Sequence, residues 1–71
     1  GGLVFFSGSN GIVWALDAAS GNVQWKAHTG GPVQFPPTVW RGRVLVGSGD
    51  GWVYAFEAQT GQLLWRFNAA P

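Results

Sequence analysis

The chain has 71 residues, a formal net charge of +1, one histidine and no cysteine, and only 10% of its residues are charged against 46% hydrophobic. Without cysteine there is no disulfide and no thiolate metal site, and one histidine cannot make a His-rich cluster. The basic residues Lys26, Arg41, Arg43 and Arg66 are scattered, which excludes the basic stripe of a nucleic-acid reader, and no apolar run approaches the ~18 residues of a membrane span.

Twelve glycines and four prolines interrupt every stretch, so no helical period survives. Short β-branched and aromatic runs predict strands over Leu3–Ser7, Ile12–Leu16, Val23–Ala27, Thr38–Trp40, Val44–Gly47, Trp52–Glu57 and Leu63–Phe67. Between the first pair lies Asn10-Gly11, and between the fifth and sixth lies Asp50-Gly51. Both dipeptides predict tight type I′ hairpins. Asp17-Ala18-Ala19-Ser20-Gly21 and Glu57-Ala58-Gln59-Thr60-Gly61 predict turns in which side chains bond the backbone and glycine takes the left-handed region. The longer link His28-Thr29-Gly30-Gly31-Pro32 suits a crossing between sheets. Pro36 and Pro37 open the following strand, where a missing donor is tolerated.

The dominant feature is a repeat. Gly11 to Trp25 returns without a gap as Gly51 to Trp65, with Gly11/Gly51, Val13/Val53, Ala15/Ala55, Gly21/Gly61 and Trp25/Trp65 in register. A fixed period of about 40 residues marks a propeller, solenoid or array, in which one repeat cannot bury its own faces. Both faces of the central strands are apolar: Trp52, Tyr54 and Phe56 on one side, Val53 and Ala55 on the other. A strand with one wet face alternates with polar residues; these strands fit sheets stacked between sheets.

Ala15-Leu16-Asp17-Ala18-Ala19-Ser20-Gly21-Asn22-Val23-Gln24-Trp25 and its twin ending in Trp65 resemble the tryptophan-docking repeat of pyrroloquinoline quinone (PQQ) type β-propellers, which reads Ala-x-Asp-x-x-Thr-Gly-x-x-x-Trp. Glu57 replaces the Asp in the second copy and Ser20 the Thr in the first. The resemblance implies an all-β chain of about two four-stranded antiparallel blades. Residues 1–31 would form a three-stranded blade lacking its inner strand, and residues 32–71 a complete one. It also implies that Trp25 and Trp65 dock on a neighbouring blade, with Gly21, Gly61, Ala15 and Ala55 shaping the docking sites.

The resembled family holds quinoprotein dehydrogenases, which use PQQ and calcium, and non-enzymatic scaffold proteins. The repeat itself does not carry the cofactor site. Asp17, Asp50 and Glu57 are the only acidic residues, and each falls where a turn already explains it; calcium needs about 6–8 oxygen ligands. His28 has no visible catalytic partner. Trp40 and Arg41, at the end of the inner strand, are the candidates for contact with a ligand in the central channel. The expectation is therefore a non-enzymatic scaffold without cofactor, which closes a ring with copies of itself, four copies being favoured. A fragment of a PQQ-dependent dehydrogenase and a carbohydrate- or peptide-binding propeller are the alternatives. The family is periplasmic or secreted, and the opening residues lack the charged n-region of a signal peptide, so the location stays open.

Overall fold

The computed structural model describes residues 2–33 and 35–69. Seven strands run in order: β1 (Leu3–Ser7), β2 (Ile12–Asp17), β3 (Val23–His28), β4 (Thr38–Trp40), β5 (Arg43–Gly47), β6 (Trp52–Glu57) and β7 (Leu63–Asn68). They form two antiparallel sheets, ordered β1-β2-β3 and β4-β5-β6-β7. The fold is all-β, and every β-branched or aromatic run of the sequence becomes a strand. His28, expected in a loop, instead closes β3.

The repeat is visible bond by bond. Ala15 opposes Trp25, and Ala55 opposes Trp65. The register slips between Ala15 and Leu16 in one sheet and between Ala55 and Phe56 in the other, a bulge that bends each outer strand at the same place. Gly21 N–H donates to Asp17 C=O and Gly61 N–H to Glu57 C=O, each at 2.8 Å. Thr29 N–H donates to Gly11 C=O and Ala69 N–H to Gly51 C=O, also at 2.8 Å.

The hairpins at Asn10-Gly11 and Asp50-Gly51 differ from expectation. A type I′ turn needs positive φ at both central residues, yet neither Asn10 nor Asp50 has it; only Gly11 and Gly51 do, at 83° and 89°. Each loop is instead a four-residue connection. Gly11 N–H closes on Gly8 C=O, and Gly8 N–H on Ile12 C=O. The Asn10 and Asp50 side chains accept from the N–H two residues on, Ile12 and Trp52. That local bond replaces the left-handed backbone these residues would otherwise have supplied. The turn with two positive φ values lies elsewhere, at Arg41 (50°) and Gly42 (75°) between β4 and β5, where no Asn or Asp marks it.

The core lies between the sheets. Val13, Ala15, Trp25, Val33, Val44, Val46, Tyr54, Phe56 and Ala58 are buried, with Phe5, Ala27 and Trp52 packed on them. No polar side chain is buried without a partner among the described residues.

Candidate interaction site at the blade faces

Trp25 is carried by the outer strand β3 and crosses to the other sheet. Its ring packs between Phe5 of its own sheet, 5.8 Å between centroids, and Phe56 of the next, 6.2 Å. The indole N–H donates to Ala58 C=O at 2.8 Å. Gly61 makes the approach possible: a Cβ there would lie 2.5 Å from Trp25 Cδ2, and the residue holds φ at +77°. The turn that closes the second blade is thus the receptor for the first blade's tryptophan. Glycine supplies both the space and the left-handed backbone, and Ala58 supplies the acceptor that a buried indole needs.

Trp65 has the same local setting and, among the described residues, no receptor. It is 45% exposed, against 8% for Trp25. Phe67, Leu63 and Leu64 beside it are exposed as well. At the opposite end, Gly21 has the same φ of +77° as Gly61 but open space where Gly61 meets an indole. Among the described residues there is therefore one filled tryptophan–glycine pair at the centre, a bare tryptophan on one face and a bare glycine turn on the other. Ala15 and Ala55 are fully buried and lie opposite Trp25 and Trp65 on the neighbouring strands. Ala58 is the docking residue that sequence reasoning missed. It acts through its carbonyl, so its side chain carries no signal beyond being small.

The two candidate channel residues do meet. The Arg41 guanidinium lies 4.9 Å from the Trp40 ring, on an inner strand whose three residues are all exposed. Lys26 lies over the half-buried Trp14 and Arg66 over the half-buried Trp52 in the same manner, so each cation meets an aromatic ring.

The acidic groups are committed locally. Asp17 Oδ1 accepts from the Ala19 and Ser20 N–H groups, which hold its carboxyl below the usual range, Ser20 contributing most. Glu57 accepts from Gln59 N–H. Asp50 accepts from Tyr54 Oη–H at 2.6 Å, and that bond is the main cause of its lowered pKa. Among the described residues no three His, Asp or Glu side chains come close enough to share an ion. The donor set does not fit a calcium–PQQ centre. His28 stands exposed at the end of β3.

Two open apolar grooves, of about 310 and 280 Å³, flank the crossing segment and share Phe35. No helix among the described residues is long and apolar enough to cross a membrane.

A stack of bladelike antiparallel sheets joined by a docked tryptophan is the architecture of a β-propeller. The chain belongs to the PQQ-like repeat family: the family model described as "Outer membrane protein assembly factor BamB" matches residues 1–71. It is 36% identical over 87 residues to the dehydrogenase subunit of a quinone alcohol dehydrogenase of Komagataeibacter europaeus, with 99% of this chain and 12% of that protein covered. It is 39% identical over 70 residues to the outer membrane protein assembly factor BamB of Burkholderia pseudomallei, covering 86% of this chain and 18% of that one. The structure superposes on quinohemoprotein alcohol dehydrogenase ADHIIG of Pseudomonas putida with a TM-score of 0.88 and 31% identity, over 97% of this chain and 12% of that one. The chain thus spans between about an eighth and a fifth of the length of these relatives.

Proposed function

We propose that this chain supplies two adjacent blades to a closed propeller ring and serves there as scaffold, without catalysis of its own. One observation carries the reading: Trp25 sits in the Gly61 turn while Trp65 and the Gly21 turn are the same two halves left apart. A knob on one face and its receptor on the other make a heterologous, head-to-tail contact, which closes into a ring when the rotation allows. Closure covers the apolar faces that a small domain of low charge cannot solubilise.

With two blades per chain, four copies give eight blades and three give six. Native mass spectrometry and sedimentation at micromolar concentration test this, with four copies expected. Trp65→Ala is expected to keep the strands and abolish association. A wild-type chain that sediments as a monomer overturns the reading.

The similarity to the alcohol dehydrogenases favours a second reading, in which the blades come from a quinoprotein enzyme. The commitment of all three carboxylates to turns and to Tyr54 speaks against the chain holding the cofactor by itself. Calorimetric titration with PQQ and calcium separates the two: micromolar or tighter binding of the quinone supports the enzyme reading.

A further inference from the structure

Trp25 is not the only bond between the blades. At the rim carrying the hairpins, the crossing segment after β3 lies against the β5–β6 loop. Gly30 N–H donates to Tyr54 Oη at 3.0 Å, and Tyr54 Oη–H donates to Asp50 Oδ2 at 2.6 Å. Ser48 Oγ–H donates to Gly31 C=O at 3.1 Å, and Gly49 N–H to Pro32 C=O at 2.7 Å. Thr29 Oγ1 donates to Gly31 C=O as well, at 2.8 Å, and so fixes the loop from its own side. The approach is close. A Cβ on Gly30 would collide with the Asp50 carboxylate, and one on Gly31 would fall 2.7 Å from Asp50 N.

The repeat makes a control. At the first blade's equivalent positions, Gly8 replaces Ser48, Asn10 replaces Asp50 and Trp14 replaces Tyr54. That blade has no hydroxyl at either place. After β7, the equivalents of Thr29, Gly30 and Gly31 are Ala69, Ala70 and Pro71. Each brings a Cβ or lacks a donor that the close approach requires. Neither half of the lock is repeated.

We propose that Ser48, Asp50 and Tyr54 form a recognition surface for a Thr-Gly-Gly crossing, so that the second blade selects the first as its predecessor. The seam inside the chain is then stronger than the seams at its outer faces, and the two blades dock and separate as a pair. The selectivity stands on this chain alone; the ranking of seams rests on the ring reading above.

Amide exchange by NMR tests the first part. Tyr54→Phe keeps the ring that stacks on Phe56 at 6.1 Å and removes only the hydroxyl. Gly30 N–H exchange should accelerate about tenfold or more, as expected for losing a bond tied to a charged group. The Gly11 and Gly51 amides, bonded within their own loops, should not change. Asp50→Asn, which keeps an acceptor for Tyr54, should give a smaller acceleration. Unchanged Gly30 exchange in Tyr54→Phe overturns the proposal.

The second part is tested by transplanting the lock. Gly8→Ser, Asn10→Asp and Trp14→Tyr build one half on the outer face, and Ala69→Thr, Ala70→Gly and Pro71→Gly build the other. Association of the combined variant should tighten by about tenfold or more; an unaltered dissociation constant overturns the ranking of seams. A wild-type chain that never associates overturns the ring reading, and the Gly30 measurement still decides the selectivity.

Discussion

Trp25 and Trp65 occupy identical places in two copies of one repeat, each opposite an alanine and four residues after a left-handed glycine. One is 8% exposed and hydrogen-bonded to the next blade; the other is 45% exposed. The difference lies in the neighbour along the stack: Trp25 has Gly61 and Ala58 beyond it, and among the described residues Trp65 has no such receptor. Burial here is a property of repeat neighbours rather than of local sequence, as in quasi-one-dimensional arrays whose stability divides into repeat terms and interface terms.

The largest effect should come from breaking the filled side of that comparison. Trp25→Ala removes a buried ring from between Phe5 and Phe56 and leaves Ala58 C=O without its donor. A loss of about 3–5 kcal/mol is expected, comparable with the whole stability of a small domain, read from urea denaturation. Trp65→Ala should cost far less at dilution. Equal losses would mean that Trp25 does not hold the seam.

Glycine substitutions sharpen the same contrast from the receptor side. Gly61→Ala and Gly21→Ala both force a side chain into φ near +77°, at about 1–2 kcal/mol each. Only at Gly61 does the new methyl meet an indole, which adds about 1–3 kcal/mol of overpacking. The gap between the two melting curves measures the docked contact. If copies associate, raising the concentration should narrow that gap, because Gly21 then acquires a tryptophan of its own.

Much of this was legible in the sequence. Short β-branched and aromatic runs bounded by turn residues marked all seven strands, and the ungapped match from Gly11 to Gly51 marked the repeat. What sequence could not reveal was backbone chemistry. Ala58 docks through a carbonyl, which every residue has. Arg41 takes φ of 50° because the two-residue link to β5 demands it, although its side chain does not favour that region. Asn10 and Asp50 went the other way, since side-chain bonds to Ile12 and Trp52 satisfied the loop without a left-handed residue. The meeting of Gly30 with Tyr54 spans 24 positions and has no local pattern at all.

A milder contrast separates β5 from its repeat partner β1. Val44, paired with Val39 of β4, is fully buried, while its twin Val4 on β1 is 50% exposed. Val44→Ala should cost about 2 kcal/mol from two lost methylene equivalents and the resulting cavity. Val4→Ala should stay within about 0.5 kcal/mol, as for most surface changes. Comparable losses would show that the β1 edge is covered in solution.

The smallest effect is in acid, and it sets the second blade's hairpin against the first. Asp50 and Asp17 both have carboxyl groups held below the ordinary value, the first chiefly by Tyr54 Oη–H and the second chiefly by the Ser20 N–H. A folded pKa below the unfolded one means that the unfolded chain takes up protons more readily. The stabilisation is therefore complete above the usual carboxylate pKa of about 3.9, and it is lost as pH falls through the depressed folded values. Asn10, at the first blade's equivalent of Asp50, carries no such proton. Tyr54→Phe should flatten the acid dependence of the Gly30 seam and leave the Asp17 turn as it was; Asp17→Asn should do the reverse. Gly30 and Gly21 amide exchange, followed from about pH 6 down into the carboxylate range, reads the two sites separately. If Tyr54→Phe leaves the acid dependence at Gly30 unchanged, the phenol is not what holds the Asp50 carboxylate in place.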